Sequence, residues 1–221
     1  MAAKLQVLAE IGPPASSSGR AWGLRRGDLE ALRGVLGEVD GRRVVLVTGE
    51  VGPAATLAVA LAGVGASTGT ATALIECDVE HPRLAADLGL SPTPGLHEYL
   101  RWEATPADVV QPLTLAGSAS PPGVRPLACV CAGRPARDAR TLLGLGSFHH
   151  MATKLRGAYA LVVLLGPPLE GAGGALSSAA GESDCVLTAL SSRPDRRAAK
   201  ANADALSWLG ASALGAVIVA A

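Results

Sequence analysis

The chain has 221 residues, and with 49% hydrophobic and 17% charged residues it has the composition of a globular domain and not of a disordered chain. Nineteen basic residues balance nineteen acidic residues, so overall charge does not attract the chain to nucleic acid or to an anionic membrane. Aromatic residues make up only 3% of the chain, too few to favour a stacking platform for single strands. We therefore expect no nucleic-acid partner.

Hydropathy favours a cytoplasmic protein. No apolar run reaches the roughly 18–20 residues of a membrane-spanning helix. Residues 1–14 lack the apolar core and the cleavage pattern of a signal peptide. The cysteines fall in apolar segments, which predicts buried, unreactive side chains, and their spacing is not that of a metal site: Cys77, Cys129, Cys131 and Cys185.

The N-terminal part of the chain predicts an arm followed by one domain. Residues 4–12 are apolar and predict a strand or an ordered arm, whereas residues 13–23 are rich in Pro, Ser and Gly and predict a linker. We therefore expect an N-terminal arm or linker over 1–23 and a single domain over 24–221. Asp28 predicts the N-cap of a helix over 29–38, where apolar residues recur at helical spacing.

Strand and helix patterns alternate along the rest of the chain. Strands are predicted at 44–47, 72–78, 127–131, 160–165, 185–190 and 215–220. Helices are predicted at 57–64, 82–88, 95–101, 105–110, 138–143, 148–156, 174–180 and 195–209. This alternation predicts an α/β fold with a doubly wound, mainly parallel sheet and helices on both faces. In such sheets, ligands bind beyond the carboxyl ends of the strands.

The segment 42–56, RRVVLVTGEVGPAAT, has the layout of a strand, a phosphate-binding loop and the start of a helix. It fits the loop motif G-x-x-x-x-G-K-[ST] at its first and last positions. Ala54 replaces the second glycine of the motif, and Ala55 replaces the lysine that would reach the β- and γ-phosphates. The candidate nucleotide-binding residues are those of this degenerate loop: Gly49, Glu50, Val51, Gly52, Pro53, Ala54, Ala55 and Thr56.

Two oxygen-bearing side chains at the same edge are candidate Mg²⁺ ligands. Asp78 ends the second central strand, and Thr56 ends the loop motif. The alternatives are structural: Asp78 caps the helix after Pro82 or pairs with Arg83, and Thr56 bonds its own helix backbone.

Residues 73–113 read ALIECDVEHPRLAADLGLSPTPGLHEYLRWEATPADVVQPL. This segment resembles the cytoplasmic ATPase domain of bacterial tyrosine kinases (BY-kinases) of capsule and exopolysaccharide export. That family is a branch of the ParA/MinD class of P-loop NTPases. Shorter segments at 5–13, 30–33, 130–144, 159–169 and 210–219 extend the resemblance. Twelve positions of the family pattern match in order: Asp78, Pro82, Leu84, Leu88, Gly89, Leu90, Pro94, Gly95, Leu96, Tyr99, Leu100 and Asp108.

The resemblance implies ATP with Mg²⁺ as cofactor and Asp78 as the retained acid of the Walker A′ motif, but several charged positions of the family have changed. Ala55 replaces the lysine, Leu165 replaces the Walker B aspartate, and Glu76 replaces the first acid of the Walker A′ motif. Catalysis of phosphoryl transfer depends on such charges, so their loss argues against catalysis and predicts weak or no ATP binding.

The family's other functional features are also reduced. The chain has no tyrosine cluster after its last strand, and of the oligomerisation motif only Glu30 and Arg33 remain, which leaves homo-oligomerisation open. The hypothesis favoured by these departures is a catalytically inactive regulatory partner in polysaccharide biosynthesis or export. The resemblance implies a membrane-bound chain-length regulator or export protein as its partner, which would recruit it to the inner face of the membrane. The alternative is an active ATP-binding protein with an atypical loop, either a tyrosine kinase or a ParA/MinD-like ATPase.

Overall fold

The fold is built on one twisted sheet. The computed structural model describes residues 5–13, 25–114, 127–170, 173–210 and 212–220. Their strands form an eight-stranded sheet in the order β1-β8-β7-β2-β6-β3-β5-β4. The strands are β1 (Val7–Ile11), β2 (Val44–Gly49), β3 (Thr72–Glu76), β4 (Gln111–Leu113), β5 (Leu127–Val130), β6 (Leu161–Leu165), β7 (Cys185–Leu190) and β8 (Ser212–Val219). Neighbouring strands are parallel except β4 and β5, which confirms the predicted mainly parallel sheet.

Helices cover both faces of this sheet, as the doubly wound prediction requires. They are α1 (Arg26–Glu38), α2 (Val51–Ser67), α3 (Leu84–Leu88), α4 (Leu96–Leu100), α5 (Pro106–Val109), α6 (Ala139–Leu143), α7 (Gly146–Ala158), α8 (Gly173–Gly181) and α9 (Arg196–Trp208). Leu57 of α2 belongs to the apolar core on one face, and Phe148 of α7 to the core on the other. Among the helices described, none is both long enough and apolar enough to cross a bilayer.

The central strands are apolar at successive positions because both faces of each strand are covered. In β2, Val45 and Val47 point into the core that contains α2, whereas Val44 and Leu46 point into the core that contains α7. All six residues of this strand are buried. A strand with this pattern belongs at the centre of the sheet, where the structure places it.

The predicted boundary at residue 24 does not separate an arm from the domain. The apolar segment near the N-terminus forms β1, which pairs in parallel with β8, and Ile11 is buried in the core. The prediction that Asp28 caps α1 is wrong, because α1 begins at Arg26 and follows Arg25. Asp28 instead accepts a hydrogen bond from the Gly12 N–H at 3.1 Å and so links α1 to the end of β1. Residues 14–23 of the predicted linker lie outside the described residues.

Candidate functional site

The carboxyl ends of β2, β6 and β3 meet at one edge of the sheet, where the sequence predicted a nucleotide site. The residues at and after these strand ends surround a cavity of about 10 Å³, which is room for about one water molecule. Its lining comprises Gly49, Val51, Ala54, Glu76, Asp78, His81, Arg83, Leu165, Gly166 and Pro168.

Helix α2 begins where the phosphate-binding loop was predicted, so the prediction of a loop over 49–56 is wrong. Strand β2 continues to Gly49, Glu50 is the N-cap, and α2 starts at Val51. The Ala54 N–H donates to the Glu50 carbonyl at 2.8 Å, which closes the first helical turn. Pro53 is compatible with this start, because an N–H in the first turn has no intrahelical partner.

The glycine that begins the loop motif has a packing role in this structure. Gly49 has a φ of +127°, and a Cβ at this position would overlap the backbone of Ala189 in β7. The next residue strengthens the same junction, because the Glu50 N–H donates to the Ala189 carbonyl at 3.0 Å. The Glu50 carboxylate also accepts a hydrogen bond from the Ser191 N–H at 3.1 Å. The first two residues of the predicted loop therefore hold β2 against β7.

The position of the family's lysine lies inside the core. Ala55 is 3% exposed and belongs to the apolar cluster between α2 and the sheet, whereas Ala54 faces the cavity. Thr56 is partly buried in the second turn of α2 and does not line the cavity. Gly52 and Pro53 do not line it either. Of the eight predicted nucleotide-binding residues, the cavity therefore brings together Gly49, Val51 and Ala54 only.

Asp78 is at this edge, as predicted, and its carboxylate is engaged locally. It accepts a hydrogen bond from the His81 N–H at 3.2 Å, with the His81 Nδ1 at 3.6 Å. Neither structural alternative for Asp78 describes this arrangement, since α3 begins after Arg83 and the Arg83 Nε donates to Asp87 at 2.9 Å. Of the two candidate metal ligands, only Asp78 lines the cavity. The described residues contain no cluster of three or more His, Cys, Asp or Glu side chains suited to a metal ion.

Glu76 is a buried carboxylate with a structural role that sequence reasoning missed. Its side chain accepts hydrogen bonds from the N–H groups of Arg83 at 2.7 Å, Leu84 at 2.8 Å and Ala132 at 2.9 Å. Burial raises the pKa of Glu76, and these hydrogen bonds oppose that rise. Glu76 thus joins the end of β3 to the start of α3 and to the residues that follow β5.

The Walker B position carries no charge. Leu165 ends β6, is 3% exposed and packs in the core. Its carbonyl accepts from the Cys77 N–H at 2.7 Å, and the following Gly166 N–H donates to the Val47 carbonyl at 2.8 Å. The backbone at this strand end therefore continues the sheet, and the side chain offers no ligand to a cation.

These residues do not fit a nucleoside triphosphate with its magnesium ion. Such a ligand needs an open cradle of N–H groups, a lysine and oxygen ligands for the metal. Here a helical turn fills the cradle, and the lysine and Walker B positions hold the buried, apolar Ala55 and Leu165. Arg83 lines the cavity but is paired with Asp87.

Comparison with known proteins finds similar structures but no matching sequence family. No protein-family model matches the chain, and no curated protein sequence matches it. Among solved structures, the chimerical protein CapA2B2 superposes with a TM-score of 0.79 at 18% identity, covering 97% of this chain and 94% of that one. The kinase domain of the Escherichia coli tyrosine kinase ETK superposes with a TM-score of 0.75 at 17% identity, covering 98% of this chain and 90% of that one. The septum site-determining protein MinD from Pyrococcus horikoshii, complexed with Mg-ADP, superposes with a TM-score of 0.58 at 16% identity, covering 80% of this chain and 69% of that one. The chain therefore has the P-loop NTPase fold seen in bacterial tyrosine kinase domains and in MinD.

Proposed function

We propose that the chain is a catalytically inactive regulatory or binding protein built on the BY-kinase fold. The observation that carries the proposal is the start of α2 at Val51, which replaces a phosphate-binding loop by a helical turn and buries Ala55. A nucleotide would have to unwind this turn before its phosphates met the backbone N–H groups of the motif. Unwinding would also expose apolar side chains of the core, which opposes binding.

The loss of charged residues also argues against catalysis. Phosphoryl transfer depends on positioning and on neutralising charge, and removal of a single electrostatic group from an active site costs about 10²–10³ in rate. Two such groups are replaced here, by Ala55 and by Leu165. Asp78 is retained at the edge, but one carboxylate does not supply the lost positive charge.

The biological setting follows from the resemblance of residues 73–113 to BY-kinases. It supports a role in capsule or exopolysaccharide biosynthesis or export, with a membrane-bound chain-length regulator or export protein as the partner. In this role the protein works at the inner face of the membrane, to which its partner recruits it. Co-expression with the chain-length regulator of the same genome tests this, because the chain should enter the membrane fraction only when that regulator is present.

An assay of ATP hydrolysis and autophosphorylation with Mg²⁺ tests the loss of catalysis. The kinase domain of ETK serves as the positive control under identical conditions. We expect no Mg²⁺-dependent phosphate release above the buffer blank and no phosphotyrosine. Turnover that Asp78→Asn abolishes, and that Asp204→Asn on the exposed surface of α9 leaves intact, would contradict the proposal and support the active alternative.

A further inference from the structure

A second and larger concavity lies at the opposite edge of the sheet from the candidate nucleotide site. It is a groove of about 620 Å³ between the end of α1, the turn into β2, the end of α2 and the start of β6. Arg42 and Arg43 precede β2 in the chain, whereas Gly49 ends it, so the groove and the cavity are separated by about 20 Å of strand. The groove and the cavity are therefore two distinct places in the fold.

The groove is positively charged. Arg33, Arg42 and Arg43 line it together with one acidic residue, Asp40, which gives the lining a formal charge of +2. Among the described residues, no carboxylate forms an ion pair with any of the three arginines. The Asp40 carboxylate accepts a hydrogen bond from the Gly41 N–H at 3.0 Å.

Two of the guanidinium groups are held by backbone carbonyls. Arg42 Nη1 donates to the Glu38 carbonyl at 2.6 Å, and Arg43 Nη1 donates to the Arg156 carbonyl at 3.0 Å. A guanidinium has five N–H donors, so these contacts position each group and leave most of its donors for a ligand. Thr68 and Thr70 also line the groove, and their hydroxyl oxygens lie 3.2 Å apart.

We infer that this groove binds a small molecule that carries phosphate groups. Guanidinium groups match phosphate geometry with paired hydrogen bonds, and several of them together favour a ligand with many anionic oxygens in a small volume. A phosphate or diphosphate group meets that requirement better than a single carboxylate. The groove volume lies within the range of roughly 300–1,000 Å³ found for small-molecule sites, so it has room for more than the phosphate itself.

Calorimetric titration of the full chain with pyrophosphate tests the inference. Wild-type protein should bind pyrophosphate, with an affinity that falls as salt is raised. Arg33→Gln should weaken binding about tenfold, as expected for the loss of one charge-assisted hydrogen bond. The triple variant Arg33→Gln, Arg42→Gln, Arg43→Gln should abolish it. Arg33 is exposed on α1, and its side chain forms no hydrogen bond among the described residues. The single variant should therefore retain its fold, which thermal unfolding checks.

A matched triple variant separates this groove from general charge attraction. Arg196→Gln, Arg197→Gln, Lys200→Gln removes the same charge from the exposed face of α9 and should bind pyrophosphate as the wild type does. Absence of binding in the wild type, or equal loss in the two triple variants, would overturn the inference. Citrate serves as a polycarboxylate control, and binding of citrate as tight as that of pyrophosphate would overturn the assignment to phosphate.

Discussion

Gly49 lies so close to Ala189 that a side chain at position 49 would overlap the backbone of β7. The first glycine of the loop motif is therefore required by the pairing of β2 with β7, whatever binds nearby. Gly52 differs from Gly49, because it lies in the first turn of α2 and has room for a side chain. Substitution by alanine should therefore change the stability of the protein in opposite directions at these two glycines.

Gly49→Ala should lower the free energy of unfolding by about 2 kcal/mol or more, because of the overlap with β7 and the positive φ. Gly52→Ala should raise it by about 0.5–1 kcal/mol, because alanine favours a helix over glycine. Urea unfolding of both variants measures these changes. A destabilised Gly52→Ala variant would show that residue 52 lies in a loop and not in α2.

Restoration of the family's lysine should destabilise the protein without restoring nucleotide binding. Ala55→Lys places an ammonium group in the core and should cost about 3 kcal/mol or more. Val51→Lys is the control, because residue 51 is 42% exposed on the same helix, and it should change stability little. Thermal unfolding with and without Mg²⁺ and ATP measures both effects. An Ala55→Lys variant as stable as the wild type, or one stabilised by ATP, would show that position 55 faces a nucleotide site.

Glu76→Gln should destabilise the protein by about 2 kcal/mol, because the amide group would place its own N–H donors against a backbone donor. Glu80→Gln is the control at the same edge, since Glu80 is exposed and should tolerate the change. Chemical unfolding of the two variants gives the comparison. Equal stabilities would remove the structural role assigned to Glu76.

Stability should fall in acid partly through Asp184. Burial favours a higher pKa for this group, but hydrogen bonds from Arg156, Val44 and Arg43 outweigh burial and hold the pKa of Asp184 below its usual value. As pH falls through about 4, the carboxylate is therefore protonated in the unfolded chain before it is protonated in the folded one. The free energy of unfolding decreases over the pH range between the unfolded-state pKa and the lower native-state pKa.

Asp184→Asn removes this contribution. The variant should be less stable than the wild type at neutral pH, and its stability should fall less steeply below about pH 4. Urea unfolding across the acid range measures the slope, with Asp204→Asn on exposed α9 as the control. An unchanged slope in Asp184→Asn would mean that the contacts of this carboxylate do not contribute to acid unfolding.

The sheet was predictable from sequence because its central strands are buried on both faces. β2, β3 and β6 each contain an uninterrupted run of apolar residues, and that signal is local. β4 was not predicted, since it has only three residues and contains Pro112, which suits an edge strand and gives a weak strand pattern.

The start of α2 could not be derived from the residues alone. Gly52 and Pro53 indicate a loop, yet both are compatible with the first turn of a helix, so the local pattern does not decide between them. The choice depends on tertiary contacts: Glu50 is held by Ala189 and Ser191, which follow it in the chain by more than 130 residues. The role of Glu76 was hidden for the same reason, because Ala132 donates to it from a distant part of the chain.

Backbone NMR of residues 49–56, with and without Mg²⁺ and ATP, tests the central claim most directly. If α2 begins at Val51, the Cα shifts of 51–56 are helical, and millimolar nucleotide leaves them unchanged even if it perturbs Arg33 and its neighbours in the groove. Non-helical shifts over 51–56, or their large change on addition of Mg²⁺ and ATP, would show that this segment is a working phosphate-binding loop.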